Sequence, residues 1–122
     1  MLQEESLVKV ADNSGAKMIK VFRVLGGTRK RYARLGELVI ASVKVAEPRK
    51  AIKKKDIVKC LVVRTAAPIR RKDGSYIRFD NNAVVIVDDK KEPRSTRIFG
   101  PIPREIKEMK YDKVFSLAEE IV

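Results

Sequence analysis

Apolar residues along this chain fall into short runs that are separated by polar turns. The runs are rich in Val, Ile and Leu and are too short for most helices, a pattern typical of β-strands. The predicted strands cover residues 7–11, 18–25, 38–45, 57–65 and 83–87. In the third of them, Val39, Ala41, Val43 and Val45 alternate onto one face. The pattern therefore predicts a mainly β protein.

Turn-forming residues stand between these runs. Residues 12–15 read Asp-Asn-Ser-Gly and predict a tight reversal, because Asx and Ser side chains bond to nearby backbone and glycine can adopt a positive φ. The pair Asp73 and Gly74 lies between two alternating arms in residues 69–79, which predicts a β-hairpin. Because the arms mix basic and apolar residues, part of this hairpin should project from the core as a ribbon.

Five or six short strands with close turns favour a small closed barrel, since closure leaves no unpaired strand edge. After Gly100 the pattern changes to spacings of three and four residues, at Ile106, Met109, Lys110, Val114, Leu117, Ala118 and Ile121. This spacing predicts one or two short helices that cap the barrel over about residues 103–122. A chain of 122 residues is expected to form one domain, residues 1–122.

Basic residues concentrate in the turns rather than in the strands. The chain carries 28 Lys and Arg against 16 Asp and Glu, a net charge of +12, with clusters at residues 29–34, 49–55 and 70–72. Cations on the loops of a compact domain attract a polyanion, because each Lys or Arg that meets a phosphate releases counterions. We therefore predict that the loops bind RNA.

Residue types that support catalysis or metal binding are scarce. There is no histidine, and the single cysteine, Cys60, lies in an apolar run that favours a buried thiol. Asp12, Asp56, Asp73 and Asp80 each stand beside turn residues, where carboxylates commonly bond to the backbone. We expect no enzymatic activity, no cofactor and no metal site.

The apolar runs are too short to cross a membrane. Glu4 and Glu5 stand where a signal peptide carries positive charge. We therefore expect a cytoplasmic protein with no membrane partner.

The loop at residues 26–34 combines two glycines, Thr28, a run of cations and Tyr32. Backbone amides and arginine forks can both meet phosphates, and Tyr32 could stack on a base or a ribose. The alternative is a solvated turn, and for Tyr32 itself packing in the core is the favoured interpretation.

Several segments together resemble one protein family. They are residues 11–16 (ADNSGA), 25–27 (LGG), 29–33 (RKRYA), 63–65 (VRT), 73–75 (DGS), 77–80 (IRFD) and 96–101 (TRIFGP). With Arg104, Glu105 and the closing residues 116–118 (SLA), they closely resemble the bacterial branch of large-subunit ribosomal protein fourteen. The resemblance covers nearly the whole chain.

This resemblance implies a five-stranded closed barrel with a projecting β-ribbon and short C-terminal helices. It implies a structural, non-catalytic protein of the ribosome that binds large-subunit rRNA, contacts ribosomal proteins three and nineteen, and forms intersubunit bridges. On the same resemblance, the loop that holds Arg49 is a candidate contact with small-subunit rRNA. Thr96, Arg97 and Lys113 resemble the docking site of the ribosomal silencing factor, which blocks subunit joining.

Basic residues of the loops and of the matching segments form the candidate RNA-binding set. Its members are Arg29, Lys30, Arg31, Arg34, Arg49, Lys50, Lys53, Lys54, Arg64, Arg70, Arg71, Lys72, Arg78 and Arg94. Lys50, Lys55 and Asn81 stand where bacterial family members typically have glycine, which leaves the geometry of those turns open.

Two other functions fit a small basic β domain. A free-standing OB-like binder of single-stranded RNA would need several exposed aromatic side chains on one sheet face, and the chain has only three Tyr and four Phe. A protein-interaction adaptor would instead use its basic face to bind an acidic partner.

Overall fold

The computed structural model describes residues 2–27 and 29–122. Its strands are β1 (Leu7–Val10), β2 (Ala16–Val24), β3 (Leu38–Ala46), β4 (Ile57–Arg64), β5 (Ile69–Arg70), β6 (Tyr76–Ile77), β7 (Ala83–Val87), β8 (Ile98–Ile102) and β9 (Ala118–Ile121). Its helices are α1 (Glu105–Glu108) and α2 (Asp112–Ser116).

Five of the strands close into a barrel in the order β1-β2-β3-β4-β7. Neighbouring strands are antiparallel except β1 and β7, which are parallel and complete the ring. The expectation of a mainly β fold built on a five-stranded closed barrel is confirmed. The run at 83–87 coincides with β7, and the other barrel strands begin and end within two residues of their predicted limits.

Strand β7 and the second half of β4 are buried on both faces. One set of side chains points into the barrel, namely Val58, Cys60, Val62, Val84 and Ile86. The alternate set faces outward and packs against the C-terminal segment, and it comprises Leu61, Val63, Ala83, Val85 and Val87 with Ile98, Ile102, Ile106 and Val114. A strand covered on both sides needs apolar residues at every position, which explains the unbroken run of β7.

One predicted alternation is broken by a β-bulge. Val39, Ala41 and Val43 are fully buried, as their spacing suggests, but Val45 is 46% exposed. The pairing of β2 with β3 shifts here, because Met18 faces Val45 whereas Ile19, the next residue, faces Val43. A bulge inserts one extra residue and turns the following side chain to the other face. The prediction that Val45 shares the face of the others is therefore wrong.

The predicted hairpin is present as β5 and β6, which pair antiparallel around a turn at Gly74. The turn is closed by Asp73, whose carboxylate accepts hydrogen bonds from the N–H and Oγ of Ser75 at 3.0 and 2.5 Å. These bonds favour the charged form and lower the pKa of Asp73, with the hydroxyl of Ser75 as the largest cause.

Two short helices follow Gly100, as predicted, and they cover the outer side of β4 and β7. The helical spacing continues through Leu117, Ala118 and Ile121, yet the second helix ends at Ser116. Residues 118–121 form strand β9, which pairs in parallel with β8. The prediction of helix up to the end of this segment is therefore wrong, because pairing with β8 satisfies the backbone that an isolated short helix would leave open.

Candidate nucleic-acid interface

The barrel presents its cationic loops at two opposite ends. Because neighbouring strands run antiparallel, the loop between β2 and β3 and the β5–β6 hairpin lie at one end, here called the hairpin end. The turn between β1 and β2 and the loop between β3 and β4 lie at the other, here called the Arg49 end. Strand β4 has eight residues, and a strand rises about 3.3 Å per residue, so the ends lie roughly 25 Å apart along it.

At the hairpin end, the loop after β2 is held by backbone pairing between Leu2 and Ala33, with N–H···O distances of 2.9 and 2.7 Å. Three of its predicted RNA-binding residues, Arg29, Arg31 and Arg34, are exposed, whereas Lys30 forms an ion pair with Glu37. Thr28 lies outside the described residues. Arg29 adopts a left-handed backbone with φ of 64°, a conformation that costs about 1–2 kcal/mol in a non-glycine residue.

Tyr32 lies in the same loop and is 44% exposed, so its predicted packing in the core is wrong. Exposed aromatic side chains elsewhere, at Phe22, Tyr76 and Phe99, belong to β2, β6 and β8. They are spread over separate sheets and loops. The stacking platform that a single-strand binder uses is therefore missing from the described part of the chain.

The hairpin and helix α1 enclose a cleft of about 970 Å³. Its basic lining residues are Arg34, Arg70, Arg71, Lys72 and Arg104. Arg71 is engaged within the protein, because its Nε lies 2.9 Å from Glu105 Oε1 and its Nη2 donates to the Val122 carbonyl oxygen at 2.6 Å. Lys72 Nζ lies 3.7 Å from Glu108 Oε2, while Arg70 and Arg78 are exposed.

Arg64 differs from the other predicted RNA-binding residues because it is only 9% exposed. Its guanidinium group packs against Gly100, where a Cβ would collide with Nη1. Nε has no hydrogen-bond partner, and no carboxylate among residues 2–27 and 29–122 forms an ion pair with it. Burial disfavours the charged form and lowers the pKa of Arg64.

At the Arg49 end, the loop between β3 and β4 is anchored by Ile52, which is 2% exposed and belongs to the barrel core. The Asp56 carboxylate accepts a hydrogen bond from the Lys53 N–H at 2.9 Å, and the Lys55 N–H donates to the Val43 carbonyl at 2.8 Å. The predicted RNA-binding residues of this loop are all exposed, and they are Arg49, Lys50, Lys53 and Lys54. The loop therefore displays them from a fixed backbone.

Lys50 and Lys55, two of the turn positions whose geometry the sequence leaves open, have different backbone conformations. Lys55 has φ of 75°, the left-handed conformation for which glycine is suited. Lys50 does not have a positive φ. Its Cβ packs so closely against Gly15 that a Cβ on residue 15 would collide with it. Arg49, next to it, is left-handed with φ of 68°.

The reversal at residues 12–15 joins this end to the C-terminal segment. Asp12 is 5% exposed, and its carboxylate accepts hydrogen bonds from the N–H groups of Ser14 and Ile86 at 3.1 and 2.9 Å. The Asn13 side chain accepts from the N–H groups of Thr96 and Arg97, each at 3.1 Å. The aspartate is therefore structural, as predicted from its turn.

Of the three residues predicted to bind a protein, Thr96 and Arg97 lie at this junction and Lys113 lies in α2. Thr96 is exposed, and Arg97 donates from Nη2 to Glu119 Oε1 at 2.9 Å while its guanidinium lies 5.7 Å from the Phe99 ring centroid. Lys113 of α2 pairs with Glu92 at 2.8 Å. Arg94, the remaining member of the RNA-binding set, is exposed, and its N–H donates to the Ile86 carbonyl at 3.0 Å.

Two other kinds of site are absent from the described residues. Over 2–27 and 29–122, no group of three or more His, Cys, Asp or Glu side chains is placed to hold a metal ion. The same residues contain no helix that is long and apolar enough to span a membrane. Cys60 points into the barrel, where burial raises the pKa of its thiol far above the usual range.

The structure is thus a small basic β-barrel whose braced loops display exposed cations that are placed to attract a polyanion. The model of the family described as ribosomal protein L14p/L23e matches residues 1–122, the whole chain. The chain therefore belongs to this family of large-subunit ribosomal proteins, which is structural rather than enzymatic. The family expected from the sequence segments is confirmed.

Proposed function

We propose that this protein, acting as a single domain of residues 1–122, bridges two RNA surfaces in the ribosome. The hairpin end binds large-subunit rRNA, and the Arg49 end meets small-subunit rRNA at an intersubunit bridge. The observation that carries this proposal is the placement of two exposed cation clusters at opposite ends of one rigid barrel. The hairpin end can bind large-subunit rRNA while the Arg49 end remains exposed to the small subunit.

The cations act by neutralising phosphates that rRNA folding brings together, and they do not read a base sequence. Paired residues brace the loops in this scheme: Lys30 through Glu37, and Arg71 through Glu105. The exposed residues without an ion pair make the phosphate contacts. Because the loop backbones are already hydrogen-bonded, little conformational entropy is lost on binding.

Three triple variants test the division of labour between the ends. Arg31→Gln/Arg34→Gln/Arg70→Gln should reduce incorporation into the large subunit in competition with wild type. Arg49→Gln/Lys53→Gln/Lys54→Gln should incorporate normally but weaken joining with purified small subunits. Lys90→Gln/Lys91→Gln/Lys110→Gln removes the same charge from exposed positions outside the proposed set, and it should leave both steps unchanged.

Equal effects of all three variants on incorporation and on subunit joining would mean that only the net charge matters. Such a result would contradict the proposal that the two ends bind different RNAs. Salt dependence gives an independent measurement. If each of three removed cations had neutralised one phosphate, the magnitude of the slope of log Kobs against log salt for large-subunit rRNA should fall by about 2–3 in the hairpin-end variant.

Protein partners are proposed on the same family basis. Contacts with ribosomal proteins three and nineteen would add to rRNA binding, and the surface around Thr96, Arg97 and Lys113 would dock the silencing factor. Asn13 supports this surface by fixing the backbone at Thr96 and Arg97. Lys113→Glu should weaken binding of the purified factor to large subunits at least tenfold, whereas Lys110→Glu should not.

A further inference from the structure

The outer face of β1, β2, β3 and the start of β4 is not covered by any other element in the described part of the chain. The opposite side of the barrel, at β4 and β7, is covered by the C-terminal segment. On the uncovered side, large apolar side chains stand in solvent. They are Leu7 at 62%, Met18 at 37%, Phe22 at 44%, Val45 at 46% and Ile57 at 69% exposure.

Strand register places these side chains on one continuous surface. Leu7 pairs with Lys20, Lys20 with Ser42, and Ser42 with Ile57, which makes one row across four strands. Lys9, Met18 and Val45 form the adjoining row. Met18 and Val45 are directly opposed, at about 4.5–5.5 Å, and Leu7 lies diagonally opposite Met18 and Phe22, at about 7–8 Å, within reach of long side chains. Ile57 stands apart from Leu7, because Lys20 and Ser42 lie between them in the first row. We call this surface the open face.

The open face is also strongly basic. Its cations are Lys9, Lys17, Lys20, Arg23, Lys44 and Lys59, and none of them belongs to the predicted RNA-binding set. Among the described residues, Lys20 pairs with Glu5 at 2.8 Å, and the other five are in no ion pair. The surface therefore combines exposed aliphatic groups with unpaired positive charge.

We propose that the open face docks a polypeptide segment in which apolar residues alternate with Asp or Glu, presented by a neighbouring protein of the large subunit. Contiguous exposed apolar side chains of this kind mark interaction surfaces. Burying them against apolar residues of the partner supplies the affinity, and its carboxylates meet Lys9 and Lys44. This inference rests on the membership of the chain in the large subunit and leaves the RNA-binding ends unchanged.

A polypeptide fits this face better than rRNA does. Of the five exposed apolar residues only Phe22 can stack on a base, whereas Leu7, Met18, Val45 and Ile57 offer aliphatic groups. Aliphatic side chains gain little from a phosphate backbone, because RNA recognition relies on charge, stacking and hydroxyl contacts. At the hairpin end the large exposed apolar side chains are Tyr32, Tyr76 and Met109, and two of these three are aromatic rings that can stack on bases.

Photo-crosslinking in assembled particles tests the proposal. A photoreactive amino acid is placed at Phe22 or at Ile57, and large subunits that contain the variant are purified and irradiated. Nuclease and protease digestion then identifies the crosslinked molecule. The same probe at Tyr76, which is exposed on the hairpin, reports separately on the rRNA contact proposed above.

Crosslinks from Phe22 and Ile57 to one polypeptide, at a segment with alternating acidic and apolar residues, would support the proposal. Crosslinks to rRNA, crosslinks to a segment without acidic residues, or no crosslink would overturn it. Failure of the Tyr76 probe to reach rRNA would count against the hairpin end alone, so the two proposals fail separately.

A charge variant adds a quantitative readout. Lys9→Gln/Lys44→Gln should lower the yield of the polypeptide crosslink by about fivefold or more, since each lost interfacial ion pair weakens docking. Lys90→Gln/Lys91→Gln removes equal charge at a distant turn and should leave the yield unchanged. An equal fall in both variants would contradict a specific acidic partner.

Discussion

Arg71 joins the projecting hairpin to helix α1, because its Nε lies 2.9 Å from Glu105 Oε1 and both side chains are more than four-fifths buried. Its neighbour Arg70 is exposed and lines the cleft beside it. Two adjacent arginines in one basic cluster therefore have different tasks. Arg71 holds the hairpin in place, whereas Arg70 is exposed and belongs to no ion pair among residues 2–27 and 29–122.

This difference predicts opposite phenotypes for two similar variants. Arg71→Gln should lower the free energy of unfolding by roughly 2 kcal/mol, between the small value of an exposed pair and the larger value of a fully buried one. Arg70→Gln should change it by less than about 0.5 kcal/mol but should weaken rRNA binding. Urea denaturation of the isolated protein measures the first quantity. Equal losses of stability in both variants would contradict the assignment.

Arg64 predicts a conflict between stability and binding. The Arg64 side chain is largely buried and its Nε has no hydrogen-bond partner, and replacing such a poorly paired charge with an apolar residue of similar shape is often neutral or stabilising. We expect Arg64→Met to raise the stability of the isolated protein by about 1 kcal/mol while lowering its affinity for large-subunit rRNA. Arg78→Met, at an exposed position, is the control for stability and should leave it unchanged.

A clear loss of stability in Arg64→Met would mean that the guanidinium has a favourable role inside the folded protein. Unchanged affinity for rRNA would remove Arg64 from the binding set. Thermal unfolding and filter binding at a fixed salt concentration measure the two quantities independently.

The left-handed backbone at Lys55 predicts that glycine is preferred there. Lys55→Gly and Lys55→Ala lose the same charge, but only glycine adopts φ near 75° without strain. The glycine variant should therefore be about 1 kcal/mol more stable than the alanine variant. At Lys50, which does not have a positive φ, the order should reverse because glycine adds freedom to the unfolded chain. Chemical denaturation of the four variants provides the test.

The turn of the hairpin predicts a dependence on acid. The pKa of Asp73 is lowered by the Ser75 hydroxyl and N–H. The charged carboxylate therefore stabilises the turn, and this contribution is fully present at any pH above the pKa of Asp73 in the unfolded chain. This contribution is lost as pH falls through the lowered pKa of the folded state. Ser75→Ala should raise the pKa of Asp73 towards the ordinary value, which carboxyl chemical shifts in an NMR titration can follow. An unchanged pKa in Ser75→Ala would contradict the hydrogen bond.

Local patterns in the sequence were sufficient for most of the barrel. β-Branched runs, the Asp73-Gly74 pair and the aspartate at residue 12 act through near neighbours, so their strands and turns could be predicted without knowing the fold. The exposure of Val45 could not be predicted in this way, because the bulge that exposes it depends on how β2 and β3 pair. Strand β9 was missed for the same reason, since its partner β8 is distant in sequence.

The amino-acid sequence alone determined that this is a basic, mainly β protein with cations on its turns, because composition and short-range periodicity are properties of the chain. Only the tertiary structure decided which cations are free. Arg71 and Lys30 form ion pairs with Glu105 and Glu37, and Arg64 becomes buried. Strand pairing brings the apolar groups of the open face onto one side of the barrel. Such relations arise from contacts between residues distant along the chain, and these exist only once the barrel has closed.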